Sequence, residues 1–344
     1  MVFGQAPAWS LPRGTEGVRI MAESLLARGI PVGSCLADSG LTEADLQDED
    51  AEIWPHQEFA VIRNIIGILG DRPGIGIEVG MFSTLGRTGV LGFTFLASRT
   101  VGEGVERIVP YLALSPSHVR LAVHEADDCS YIVADDGDVP VDVRSFIVER
   151  DLAGLAAVLR GAGIDLPLVR LDSTLDEQRM AGLAEAWQLD RADVRPNQPQ
   201  NRLVGPRSML QLPLPQADPN TARVFERQCR ELLERRLARV GVTGRVRSRL
   251  LHTSGELPTM QTIADELHVD PRTLRRHLAN EGTSFRSLRE GVRQTLALTL
   301  LAEGRSIEAI AQRLGYAETA SFTHAFKRWK GLAPKYFRER NGPQ

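Results

Sequence analysis

Apolar residues recur at helical spacing over residues 18–28 and again over 58–69, with a break at 38–40 between the two runs. The glycine-rich stretch 70–92 shows no clean period. A helical segment near 102–112 leads into two alternating runs, VRLAVHE and CSYIVAD, separated by Ala126, Asp127 and Asp128, and this arrangement predicts a β-hairpin. Residues 141–160 then read as helix, 166–171 as strand, 175–189 as helix and 201–204 as a short strand, so the first part of the chain is expected to be α+β. The prolines of LPLPQADP, which begins at Leu212, predict an extended connection. Beyond it Phe225, Cys229, Leu232, Leu233, Leu237 and Val240 return at helical spacing and form one apolar face. That face packs either on its own domain or on a second copy of the chain. Gly241 and Gly244 mark the end of this helix and a domain boundary.

After a helix near 245–252, one design appears twice. The first copy places Ile263, Ala264 and Leu267 on a helix, a tight turn at His268 and Val269, and a second helix from Pro271. Asp270 is positioned to cap that second helix, and a proline in its first turn gives up no needed amide hydrogen. The second copy repeats the pattern with Ile307, Ile310, Ala311 and Leu314, a turn at Gly315, and a helix over about 318–329. Small residues at Ala264 and Ala311 allow two helices to cross closely. Helix-turn-helix units are therefore expected at 259–281 and 306–330, joined by a long helix over 284–303.

Charge sharpens this reading. The formal net charge of −3 hides an uneven split: from Gly241 onward there are 17 Lys plus Arg against 10 Asp plus Glu, leaving 24 against 34 before it. A basic tail of +7 on a body of −10 suits a nucleic-acid-binding domain joined to a part that stays off the phosphates. Apolar content of 42% and charged content of 25% are ordinary for globular chains and exclude a disordered or fibrous class. With 344 residues, two domains with separate cores are expected: a regulatory domain over 1–217, a helical linker over 218–242 and a DNA-binding domain over 243–344. No apolar run is long enough to span a membrane and the chain opens without a leader-like segment, so a cytoplasmic location is expected. Cys35, Cys129 and Cys229 share no metal-ligand spacing with histidines and read as buried thiols.

In the tail, IAQRLGY followed by SFTHAFKRWKGLAP resembles the AraC/XylS family of transcription regulators, and the likeness extends upstream over about one hundred residues. The resemblance implies an all-α domain of about seven helices whose two recognition helices, about 271–281 and 318–329, reach successive major grooves on one face of promoter DNA. In the first, Leu274 and Leu278 face inward and Arg272, Thr273, Arg275 and Arg276 outward. The arginines fall at the family's base-contacting positions and suit either guanine edges or phosphates. In the second, Phe322 and Phe326 form the inner stripe, with Thr319, Ala320, Ser321, Thr323 and His324 toward the groove. Lys327, Arg328 and Lys330 read as phosphate contacts or as a solvated basic face, and Trp329 and Phe337 as core. The family more often has arginine where His324 stands and a capping serine or aspartate where Ala317 stands, so the first unit is expected to discriminate sequence more strongly.

LLARGIPVGSCLADSGL, TGVLGFTFLASRTVGEGVERIVPYLAL and NRLVGPRSMLQLPLPQADP, in that order, resemble the arabinose-binding-like N-terminal domain of the branch containing ornithine-use and mycobacterial virulence regulators. The branch implies sensing of a small-molecule effector or dimerisation, RNA polymerase as a partner and a homodimer as one assembly. Three classes stay open: an effector-responsive regulator, a regulator whose first domain only dimerises, and an enzyme fused to a DNA-binding domain, as in alkylation-repair proteins. The cysteines lack the proline-cysteine motif with an adjacent histidine that the enzyme would need. His56, His118 and His124 have no carboxylate or cysteine at a diagnostic spacing, so no catalytic residue, metal site or cofactor is expected.

Overall fold

A computed structural model of the chain describes residues 11–48, 51–239, 241–251, 257–302, 304–330 and 332–341. Val240, His252 and Glu303, which the sequence places at or near helix ends, lie outside these residues, as does the side chain of Leu237. The chain forms two compact bodies, the first from nearly all residues up to 236 and the second from 237 onward.

In the first body, a small antiparallel pair joins β1 (Arg13–Gly14) to β2 (Glu52–Ile53). Between them run α1 (Glu16–Leu26), α2 (Val32–Leu36) and α3 (Glu43–Gln47). The last is closed by a capping box between Thr42 and Asp45. Next come α4 (Pro55–Leu69), α5 (Ile75–Gly80), α6 (Gly89–Leu96) and α7 (Val101–Ile108). The expected hairpin is present as β3 (Arg120–Glu125) and β4 (Cys129–Asp135), paired antiparallel with Val123 opposite Ile132. Then follow α8 (Val141–Gly161), β5 (Arg170–Asp172), α9 (Glu177–Trp187), β6 (Val194–Arg195) and β7 (Asn201–Pro206).

The five-stranded sheet has the order β3-β4-β7-β5-β6, antiparallel except for the β5–β6 pair. Its strand β5 corrects the expected 166–171: pairing begins only at Arg170. Pro167 within that apolar run has no amide hydrogen to give a ladder.

Helix α8 ties the body together. Its Phe146 and Ile147 belong to a core shared with α1, α4 and α5, while Val148, Leu152 and Leu159 belong to the core under the sheet. A helix buried on so many sides has no single polar face. Its approach to α5 needs glycine, since a Cβ on Gly76 would sit 2.3 Å from the Phe146 carbonyl oxygen.

Helix α10 (Pro219–Arg239) packs on this body rather than offering its apolar face outward: Cys229 is buried in a cluster with Leu91 and Tyr111, and Phe225 stacks on Phe93.

The second body holds seven helices among its described residues: α11 (Gly241–Leu251), α12 (Met260–Glu266), α13 (Pro271–Asn280), α14 (Phe285–Ala302), α15 (Ile307–Arg313), α16 (Thr319–Lys330) and α17 (Pro334–Asn341). The architecture is thus an α+β body followed by an all-α body. Among the described residues no helix is long and apolar enough to cross a membrane.

Candidate nucleic-acid interface

Each helix-turn-helix unit is built from a capped helix, a left-handed turn and a second helix. Thr259 accepts the Thr262 amide at the start of α12, and Ser306 accepts the Ala309 amide at the start of α15. Ala264 and Ala311 are buried on these helices, where small side chains let the following helix cross.

Asp270 caps α13 as the sequence suggests, its Oδ1 accepting the amides of Arg272 and Thr273 at 2.9 Å each. Hydrogen bonds from Thr273 and from these amides hold the Asp270 carboxyl below its ordinary range.

The inward face of α13 is Leu274 and Leu278, both fully buried. Arg272, Arg275 and Arg276 are exposed, and among the described residues none of the three has an ion-pair partner. Thr273 is only half-exposed and its hydroxyl donates to Asp270 Oδ2 at 2.5 Å. That side chain holds the start of the helix.

On α16, Phe322 and Phe326 are fully buried, and Phe326 meets Trp329 and Phe337 edge to face. Ala320, Ser321, His324 and Lys327 are exposed, while Thr319 and Thr323 are half-buried. The Thr323 hydroxyl donates to the Thr319 carbonyl at 3.0 Å. Arg328, grouped with the lysines on sequence grounds, is held by Glu290 of α14 at 2.6 Å, and the same carboxylate oxygen accepts Trp329 Nε1 at 3.0 Å.

Both units share α14. Its Leu288 and Val292 sit in the core of the first unit, and its Ala297 and Leu301 in the core of the second. Arg293 of the same helix donates to the carbonyls of Leu314 and Gly315 at 2.8 and 3.0 Å and lies 4.3 Å from the Tyr316 ring centre. Burial lowers the pKa of this guanidinium. At the other end Glu281 accepts the amides of Val242 and Thr243 at 2.9 and 2.7 Å, tying α13 to the start of α11. Burial alone would raise the Glu281 pKa, but these donors outweigh it and the carboxyl is lowered.

The first body contains a feature that sequence spacing did not reveal. His118 Nε2 lies 3.0 Å from Glu58 Oε2, both side chains almost wholly buried. His118 Nδ1 lies 2.7 Å from Arg13 Nη1. A guanidinium can only donate, so Nδ1 accepts and the ring is neutral with its proton on Nε2. Arg150 completes the group, reaching Glu58 at 2.8 Å and Asp151 at 2.9 Å.

Burial lowers the His118 pKa, and burial also lowers Arg13 to about 10. Burial would raise Glu58, but His118, Arg150 and Arg13 together hold it far below the usual carboxylate range. Next to this group is a cavity of about 160 Å³, with Arg150 and Asp151 in one wall. The signal available in the sequence was an acid, Glu58, inside the apolar run of α4. Among the described residues no three His, Cys, Asp or Glu side chains come together as a metal site.

Two helix-turn-helix units, each with the inner face of its second helix in a core and the outer face exposed, define a helix-turn-helix DNA-binding regulator of transcription. Comparison with known proteins places it more narrowly. The family model described as the arabinose-binding domain of AraC transcription regulator, N-terminal, matches residues 29–214, and a helix-turn-helix domain model matches residues 263–340. The chain belongs to the AraC family of transcription regulators. It is 38% identical over 329 residues to an uncharacterized HTH-type transcriptional regulator of Mycobacterium tuberculosis, covering 94% of this chain and 95% of that protein. It is 28% identical over 280 residues to the ornithine utilization regulator of Pseudomonas aeruginosa, covering 78% and 79%. The crystal structure of the transcriptional regulator CdpR from Pseudomonas aeruginosa aligns with 94% of this chain and 98% of that one at 25% identity, with a TM-score of 0.48. The named relatives are regulators and not enzymes.

Proposed function

We propose that α13 and α16 enter successive major grooves on one face of promoter DNA, and that the first body modulates this binding in response to a small-molecule effector. The observation that carries the reading is α14, an 18-residue helix whose two halves are built into the two cores. At about 1.5 Å per residue it spans about 27 Å, close to the roughly 34 Å between successive major-groove faces of a duplex. Arg272, Arg275 and Arg276 supply the donors for guanine edges or phosphates, Ser321 and His324 face the bases less strongly, and Lys327 neutralises phosphate. Thr273, Thr319 and Thr323 support the helix starts and contact the backbone. RNA polymerase is the partner that turns binding into activation, and a homodimer would double the number of half-sites.

The test is a footprint of the full chain on the DNA upstream of its own gene, over a range of salt. Two protected patches about one helical turn apart are expected, with affinity falling steeply as salt rises. A single patch, or equal affinity for unrelated DNA, overturns the paired-helix reading.

A further inference from the structure

The cavity in the first body is lined mainly by carbon. Leu91, Phe95, Leu121, Leu152, Leu155 and Val158 face it, and its volume of about 160 Å³ is close to that of cavities that hold a single benzene-sized molecule. The charged side chains of its wall are already satisfied, and the rest of its polar side-chain lining is a few hydroxyls, those of Ser83, Thr88, Ser115 and Ser117. Asp151 Oδ2 accepts the Ser117 hydroxyl at 2.9 Å and the His118 amide at 2.7 Å, while Oδ1 accepts Arg150 Nε at 2.9 Å. The remaining Arg150 nitrogens reach Glu58 at 2.8 Å and the Pro116 carbonyl at 3.2 Å. Thr88, also in the lining, donates its hydroxyl to Leu85. Charge is balanced too: Arg13 and Arg150 face Glu58 and Asp151 around a neutral His118.

A sugar, with a hydroxyl on nearly every carbon, would leave most of its hydroxyls unpaired here, and each costs free energy when buried without a partner. A charged ligand would find no uncompensated opposite charge. We propose that this cavity binds an uncharged, largely apolar small molecule, about the size of one aromatic ring or a medium-length aliphatic alcohol, rather than a sugar or an ion. The site is the sensor of the proposed effector response, and the inference rests on that reading for its regulatory consequence alone.

The experiment is calorimetric titration of the full-length protein with indole, 1-octanol, octanoate and L-arabinose, followed by the promoter footprint with and without the best binder. Indole or 1-octanol should bind saturably, one per chain, with octanoate at least about tenfold weaker because its charge must be desolvated, and arabinose silent. Leu155→Phe, which pushes a ring into the cavity, should abolish the 1-octanol heat while promoter affinity at low salt is kept. Should that variant fail to fold, the ranking of the four probes on the unaltered protein decides by itself. Saturable binding of arabinose, octanoate binding as tightly as 1-octanol, no saturable heat from either apolar probe, or apolar binding indifferent to a folded Leu155→Phe overturns the assignment. Saturable apolar binding with an unchanged footprint supports the cavity assignment and overturns the sensing role instead.

Discussion

His268 and Gly315 stand at the same point of the two helix-turn-helix units, each in the left-handed backbone region, with φ of +56° and +71°. Only one of them has the residue this conformation favours. His268 is exposed, so its imidazole adds little packing to offset the strain. Replacing it by glycine is expected to stabilise the protein by about 1 kcal/mol, read as a raised urea midpoint. The reciprocal change, Gly315→Ala, meets no atom closer than 3.4 Å, so its cost is backbone strain alone, about 1–2 kcal/mol. A glycine at 268 that left the midpoint unmoved would show the turn to be relaxed.

Arg276 and Lys327 should report different kinds of contact. Arg276→Ala is expected to cost about 1–3 kcal/mol on the specific site and much less on random DNA, as for a base-reading arginine. Lys327→Ala should weaken both alike and lower the slope of affinity against salt by about 1. Gel-shift titrations on the two DNAs at several salt concentrations separate these outcomes, and uniform weakening by Arg276→Ala would reassign that residue to phosphate.

The first body should lose stability in mild acid. The folded state keeps His118 neutral below its ordinary value of 6.5, whereas the unfolded chain takes up the proton there. Protons therefore favour unfolding, and the contribution, complete above pH 6.5, is lost as pH falls through the lowered folded value. The depressed Glu58 adds a further loss below its ordinary 4.5. Thermal melts between pH 7.5 and 5 should show this decline, and His118→Gln, which keeps a neutral polar side chain beside Glu58 and Arg13 but cannot take up a proton, should flatten it. An equal slope in the variant would move the cause elsewhere.

Glu290 is expected to matter to one half of the DNA site only. Its carboxylate seats α16 on α14 through Arg328 and Trp329. Glu290→Ala removes both bonds, for about 1 kcal/mol of domain stability given their partial exposure. The footprint should contract to the patch held by α13. Protection that stays equal over both patches would mean that α16 is seated by its aromatic residues alone.

The parts legible in the sequence are those where one face is buried and the other wet. The stripe of Leu274 and Leu278 and the stripe of Phe322 and Phe326 appear as expected, as do the hairpin of β3 and β4 and the Asp270 cap. The stretch 70–92 was opaque for a physical reason: α5 uses Gly76 for backbone contact with α8, and the apolar residues of α6 lie on nearly every side, so no period survives. The Glu58–His118 contact joins residues sixty positions apart on different elements, which local spacing cannot reveal. An outward position on the helix, all that periodicity gives, does not separate hydroxyls with different tasks. Thr273 and Thr323 bond within their own helix starts, while Ser321 stays open to solvent.

The hollow beside Arg150 also bears on compression. Unfolding eliminates internal empty space, so a domain containing such a void shrinks more when it unfolds, and hydrostatic pressure pushes it toward the denatured state. The amino-terminal body should therefore yield at lower pressure when the hollow is vacant than when a guest fills it, and this hardening is a sign of occupancy that requires no DNA.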